Sequence, residues 1–167
     1  MNKEKSELVW VGKTKTSKKI LCNNIKLSWG ATEFKLLGIT FTIKLDEIVN
    51  KNYNPIMGKI LNTIKVWKRR SLTPLDKIVI IKSLLMSQFV HLFQTLPKPP
   101  SALILKITKV LFQFIWDDKP DKISQPKLMQ QKRKGGLDMI NLEQFIKCLH
   151  INWVNTLTGG AKPLWQE

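Results

Sequence analysis

The stretch from Lys65 to Phe93, KVWKRRSLTPLDKIVIIKSLLMSQFVHLF, constrains the fold most, because it joins a helix start to a long apolar stripe with almost no charge along it. Thr73 suits an N-cap and Pro74 the first helical position; Asp76, three after the cap, places a carboxylate where the helix N-terminus favours one. At about 100° per residue, Ile78, Ile81, Leu85, Phe89, Leu92 and Leu96 fall on one side, and Leu84, Met86, Val90 and Phe93 widen that face past half the circumference. The strip left over, Ser83, Ser87, His91 and Gln94, carries no formal charge near neutral pH. A helix lying on a membrane surface needs a charged polar face there. The stretch therefore reads as a core helix of a bundle, running to about Leu96 and stopped by Pro97, Pro99 and Pro100.

The helical period extends to either side. Tyr53, Ile56, Met57, Ile60, Leu61, Ile64 and Trp67 recur at three and four. Ser101 is the expected cap of a third helix with the stripe Ile104, Ile107, Leu111, Phe114 and Ile115. Residues 117–122 read as a loop, 127–132 as a short helix and Gly135-Gly136 as a plain turn. Asn141 then caps a last helix whose inward face is Leu142, Phe145, Ile146, Leu149, Trp153 and Leu157, stopped by Gly159-Gly160. Before residue 47 the pattern is different. LVWV (8–11) and FKLLGITFT (34–42) are short runs rich in β-branched and aromatic residues, and neither can bury itself alone. The fold class is α+β: a small antiparallel β segment at the N-terminus followed by an α-helical bundle. Three regions are expected, 1–46, 47–118 and 119–167.

Charge narrows the partners. The chain carries 28 Lys and Arg against 12 Asp and Glu, a formal net charge of +16 in 167 residues. Between Glu47 and Asp117 the only acid is Asp76, and residues 122–137 contain none. Such acid-free stretches favour a surface for polyanions, nucleic acid before anionic membrane. Two clusters stand out: Lys65, Lys68, Arg69 and Arg70, with Lys77 and Lys82 in the helix that follows, and Lys132, Arg133 and Lys134 beside two glycines. Phosphate contacts from these groups give sequence-independent, salt-sensitive affinity. Trp67, last on its helix's stripe, is expected to be buried rather than to stack on bases.

The remaining candidates for chemistry read as structural. His91 and His150 have no carboxylate at ligand spacing, so each is expected to be a helix residue with a satisfied hydrogen bond. Asp117-Asp118 is a pair of hard ligands, but it lies in a loop with lysine and proline and no strand presents it. Cys22 and Cys148 lack any disulfide or zinc spacing, and no metal site is indicated. No apolar leader opens the chain, and residues 83–97, the longest uncharged apolar run, fall short of the roughly 20 needed to span a bilayer. An intracellular protein, nuclear or cytoplasmic, neither secreted nor transmembrane, is expected.

FKLLGITF, NKNYNPIMGKI, VWKRRSLTPLDKIVIIKSLLMSQF, LPKPP, FQFIWDDKPDKI and QKRKGGLDMINLEQFIKCLHINW follow in the order and spacing of non-LTR (LINE-type) retrotransposon reverse transcriptases. The chain resembles the portion of that family after the catalytic palm motifs, over nearly its whole length. The resemblance implies that 1–46 is the end of the palm, 47–118 the thumb, and 119–167 the start of the post-polymerase region. Asn2, Lys5 and Ser6 match an N-x-x-K-[ST] element whose lysine acts on the leaving pyrophosphate. Leu36, Leu37 and Gly38 occupy the hairpin that supports the primer terminus, with Leu36 in place of the usual aromatic. Asp76 stands where the family has glycine. The metal-binding aspartates of the palm are expected ahead of residue 1, so this chain is expected not to polymerise alone and to hold no cofactor, Mg2+ belonging to the full-length enzyme. The implied partners are template–primer nucleic acid, as RNA–DNA hybrid or structured RNA, and the polymerase portion outside these residues, with no membrane. The alternative is a non-functional or protein-interacting remnant of a decayed element.

Overall fold

The computed structural model describes residues 7–8, 28–29 and 33–158. The fold is α+β, with its helices following the strands. Two short pairs of strands come first: β1 (Glu7–Leu8) with β2 (Ser28–Trp29), and β3 (Glu33–Leu36) with β4 (Ile39–Thr42). The first pair runs parallel, so the antiparallel expectation holds for the second alone. The helices are α1 (Leu45–Lys68), α2 (Pro74–Ile80), α3 (Ser87–Thr95), α4 (Ser101–Ile115), α5 (Gln125–Met129) and α6 (Leu142–Thr158). Two compact units divide the chain inside α1, Met1–Asn54 and Pro55–Glu167.

In the first unit the run 34–42 folds as a hairpin that turns at Leu37 and Gly38, where a hairpin is expected. Leu37 at φ 48° and Gly38 at φ 85° turn the chain between Leu36 and its partner Ile39. Positive φ at both central residues matches the strand twist; a leucine there is uncommon. Phe34 and Phe41, opposite each other, stack at 5.2 Å between ring centroids. The buried Asn52 of α1 then treats Thr40 as a strand edge, accepting from its N–H and donating to its carbonyl, both at 2.8 Å. Asn52 also donates to Ile48 O, so one side chain ties β4 to the helix that follows. That helix begins eight residues before Tyr53, and Pro55 sits within it. Burial pushes the phenol of Tyr53 above its ordinary range.

The second unit opens as the sequence predicts. Thr73 Oγ1 accepts from Asp76 N–H, and the Asp76 carboxylate accepts from Thr73 N–H, a reciprocal capping box. The Thr73 hydroxyl, donating to Asp76 Oδ2 at 2.7 Å, and after it the Thr73 N–H hold the Asp76 carboxyl below the usual carboxylate range. All six stripe residues, Ile78, Ile81, Leu85, Phe89, Leu92 and Leu96, are buried. The single helix expected to reach Leu96 is instead broken. Residues Ile81–Leu85 form a π-helical turn, closed by Met86 N–H to Ile81 O, and the arms Pro74–Leu85 and Ser87–Thr95 meet at 45° just after it. Ser83 and Ser87 donate to the carbonyls of Val79 and Leu84, drawing backbone acceptors toward side chains where the helix bends. The bend turns Leu84 outward, 39% exposed, although the wheel puts it on the apolar face.

Around this bent rod α2 packs on α4, while α3 and α4 both pack on α6. The stripe of α4, Ile104, Ile107, Leu111, Phe114 and Ile115, is buried as expected, though Pro100 rather than Ser101 precedes its first turn. Asn141 caps α6 by accepting from Gln144 N–H at 3.1 Å. His150 on α6 hydrogen-bonds Phe93 O at 2.8 Å. The residue four after Phe93 is Pro97, which has no N–H, so a side chain from another helix satisfies a carbonyl that α3 cannot. Leu142 and Ile146 are buried, whereas Trp153, expected inward, is 49% exposed. Leu61 likewise leaves the apolar face of α1. Gly159-Gly160 and Leu157's side chain lie outside the described residues. Among the described residues no single helix is long and apolar enough to cross a membrane; the two arms of the bent rod reach that composition only when joined.

Candidate nucleic-acid interface

The nine cations singled out by the sequence divide by what the second unit does with them. Lys65 is exposed in the last turn of α1, and Arg69 and Arg70 are exposed just beyond it. Arg70 lays its guanidinium 4.5 Å from the ring centroid of Trp67, which is only half-buried. That contact limits the rotamers of Arg70 while leaving its N–H groups toward solvent. Lys132, Arg133 and Lys134 form an exposed 3-10 turn. Gly135 ends the turn at φ 78°, and a Cβ on Gly136 would lie 2.1 Å from Gln130 O, so both glycines are needed to close it. None of these six cations makes a salt bridge to a described residue.

The other three are taken up by aspartates. Lys68 pairs with Asp118, Lys77 with Asp117 and Lys82 with Asp138. All three aspartates have a left-handed backbone, φ 53° at Asp117, 61° at Asp118 and 57° at Asp138. Lys77 is a correction to the expected surface. It is 3% exposed, donates to Asp117 Oδ2 at 2.7 Å and to Ile115 O at 3.3 Å, and lies 5.8 Å from the ring centroid of Phe114. Its ammonium closes the C-terminal end of α4, where backbone carbonyls lack partners and a cation is favoured. A phosphate cannot reach it without unpacking α2 from α4.

Lys82, 34% exposed, meets Asp138, 53% exposed, at 2.7 Å. The hydrogen bond and charge of Lys82, with a smaller contribution from Lys132, hold the Asp138 carboxyl below its ordinary range. Asp138 lies at one wall of a cleft of about 380 Å³ completed by Gln131, Lys132 and Arg133. Among the described residues, no hydrogen bond or ion pair joins the 65–70 cluster to the 132–134 cluster.

The acidic partners of the three lysines are what sequence reasoning missed. Their only signal was position: Asp117-Asp118 and Asp138 directly follow the acid-free runs 77–116 and 122–137. Leu36 and Leu37, at the hairpin tip of the first unit, are 55% and 84% exposed. Lys5 lies outside the described residues. Among the described residues no group of three His, Cys, Asp or Glu side chains is placed to hold a metal ion. No protein-family model matches this chain.

Proposed function

We propose that the chain binds duplex nucleic acid through its phosphate backbone, without sequence preference, as the thumb portion of a LINE-type reverse transcriptase. The supporting observation is the set of six exposed cations, Lys65, Arg69, Arg70, Lys132, Arg133 and Lys134, that form no salt bridge with a described carboxylate. In a mixed-charge surface such groups would be paired, and here the acids nearest to hand are already engaged with other lysines. The proposed role is binding alone. Asp117 and Asp118, an adjacent aspartate pair, face Lys77 and Lys68 respectively. An RNA–DNA hybrid or structured RNA is the proposed ligand, and the remainder of a polymerase the proposed protein partner.

The test is a salt titration of hybrid binding by fluorescence anisotropy. Changing Lys68, Arg69 and Arg70 together to Ala is expected to weaken binding and flatten the slope of log K against log salt by about two phosphate contacts, each worth about 0.9 on B-form DNA. The loss is nearer two than three because Lys68 must first leave Asp118 to meet a phosphate. An unchanged slope overturns the reading.

A protein-interaction role has its own support. Ile151, Trp153 and Val154, near the end of α6, are 57%, 49% and 56% exposed, an apolar group that water does not favour. Concentration-dependent association that survives high salt and disappears with Trp153→Lys supports it; a monomer throughout removes it.

A further inference from the structure

We propose that Asp138 is a built-in competitor for phosphate, occupying in the free protein an anion site made by Lys82, Lys132 and Arg133, and giving up Lys82 when a nucleic-acid phosphate arrives. The inference rests on the nucleic-acid reading above and adds a regulatory contact to it.

Three observations carry it. The first is the cleft, whose walls are Gln131, the cations Lys132 and Arg133, and one carboxylate, Asp138. Two cations on a turn closed by glycines attract anions, and the carboxylate among them accepts no hydrogen bond from the turn's backbone. Among the described residues its side chain pairs with Lys82, which reaches it at 2.7 Å from the adjoining π-helical turn. Ammonium-to-carboxylate and ammonium-to-phosphate contacts share the same charge-assisted chemistry, so one can replace the other.

The second is how Asp138 is held. Its N–H donates to Gln130 O at 2.9 Å, while Leu137 and Met139 on either side both donate to Leu128 O. Met139 is 3% exposed. The backbone is thus anchored on both sides, yet the side chain stands half in solvent. The carboxylate can leave Lys82 by rotating its own side chain, with no rearrangement of the fold.

The third is the contrast with Lys77. Both pairs measure 2.7 Å, but Lys77 is buried and Lys82 is 34% exposed. An exposed pair contributes little net stability, so a polyanion can displace it cheaply. A single anion meets Lys82 alone, whereas a polyanion also brings neighbouring phosphates for Lys132 and Arg133.

The experiment measures binding of a mixed-sequence RNA–DNA hybrid to the full chain across a salt series. Asp138→Asn keeps the side chain's shape, tolerates positive φ and removes the charge. It is expected to tighten binding about two- to five-fold, the range an exposed pair governs, and to steepen the salt slope by at most about 0.9. Lys82→Gln in that background is expected to erase the gain, because the two substitutions act on one contact. Asp121→Asn adds the same net charge at an exposed loop position and is expected to change affinity less. Equal gains from Asp121→Asn and Asp138→Asn overturn the proposal, as does an Asp138→Asn protein that binds no tighter than wild type. Wild-type protein that fails to bind the hybrid at low salt overturns the nucleic-acid reading itself. If Asp138→Asn does not fold, Asp138→Gly, suited to φ 57°, carries the same expectations.

Discussion

The corner at Asp117-Asp118 and the turn at Gly135 to Asp138 are built from the same parts and serve different ends. Each uses left-handed aspartates, and each is fastened by a lysine from the bent rod of α2 and α3, Lys77 for one and Lys82 for the other. The N···O distance is 2.7 Å in both. What differs is cover. Lys77 lies in the buried arc of α2 between that helix and α4, while Lys82 sits at its edge. Under apolar cover a charge cannot exchange its partner for water, so the corner is a structural joint. At the edge the exchange is nearly neutral, which leaves the turn free to answer to a ligand. Distance alone does not separate the two; exposure does.

The sharpest way to break that comparison is to remove Lys77. Lys77→Ala is expected to cost about 3 kcal/mol in urea unfolding, from lost packing and an abandoned carbonyl at Ile115, less than a fully buried pair because Asp117 is 57% exposed. Lys77→Met, which keeps the volume, is expected to recover most of it; equal losses would show that charge rather than cover sets the corner. Next comes the turn. Gly136→Ala is expected to cost about 2 kcal/mol by driving a methyl into Gln130 O, with faster hydrogen exchange at Leu137 and Asp138 as the local sign. Thr73→Ala, which touches neither region, calibrates both at about 1 kcal/mol. Asp118→Asn, at an exposed pair, is expected to stay within about 0.5 kcal/mol, and a larger loss would place it with Lys77.

Acid sharpens the turn in another way. Asp76, Asp138 and Glu143 all have carboxyls held below their ordinary values, by Thr73, Lys82 and Lys98 respectively. A carboxyl lowered in the folded state adds stability that is present above its unfolded value and is lost as pH falls through the folded one. Thermal melting is therefore expected to be flat from neutrality to about pH 5 and to decline below about pH 4. Asp138→Asn is expected to make that decline shallower; an identical profile would detach Asp138 from Lys82.

Much of the architecture was legible because its signals are local. Thr73, Pro74 and Asp76 form their cap within four residues, Asn141 caps α6 likewise, and the stripe from Ile78 to Leu96 is buried throughout. The misreadings occur where a nonlocal partner decides. Periodicity placed Leu84 and Trp153 inside, whereas Leu84, in the π-helical turn, and Trp153, in the later turns of α6, are exposed. The start of α1 was hidden because Pro55 argues against a helix that tertiary contacts such as Asn52 to Thr40 support. For the candidate site, the sequence by itself determined which cations exist and that few acids interrupt them. Only the tertiary structure decided which of those cations remain available, because an ion pair depends on distances between residues 40 to 56 positions apart, and a charge's accessibility depends on what packs over it.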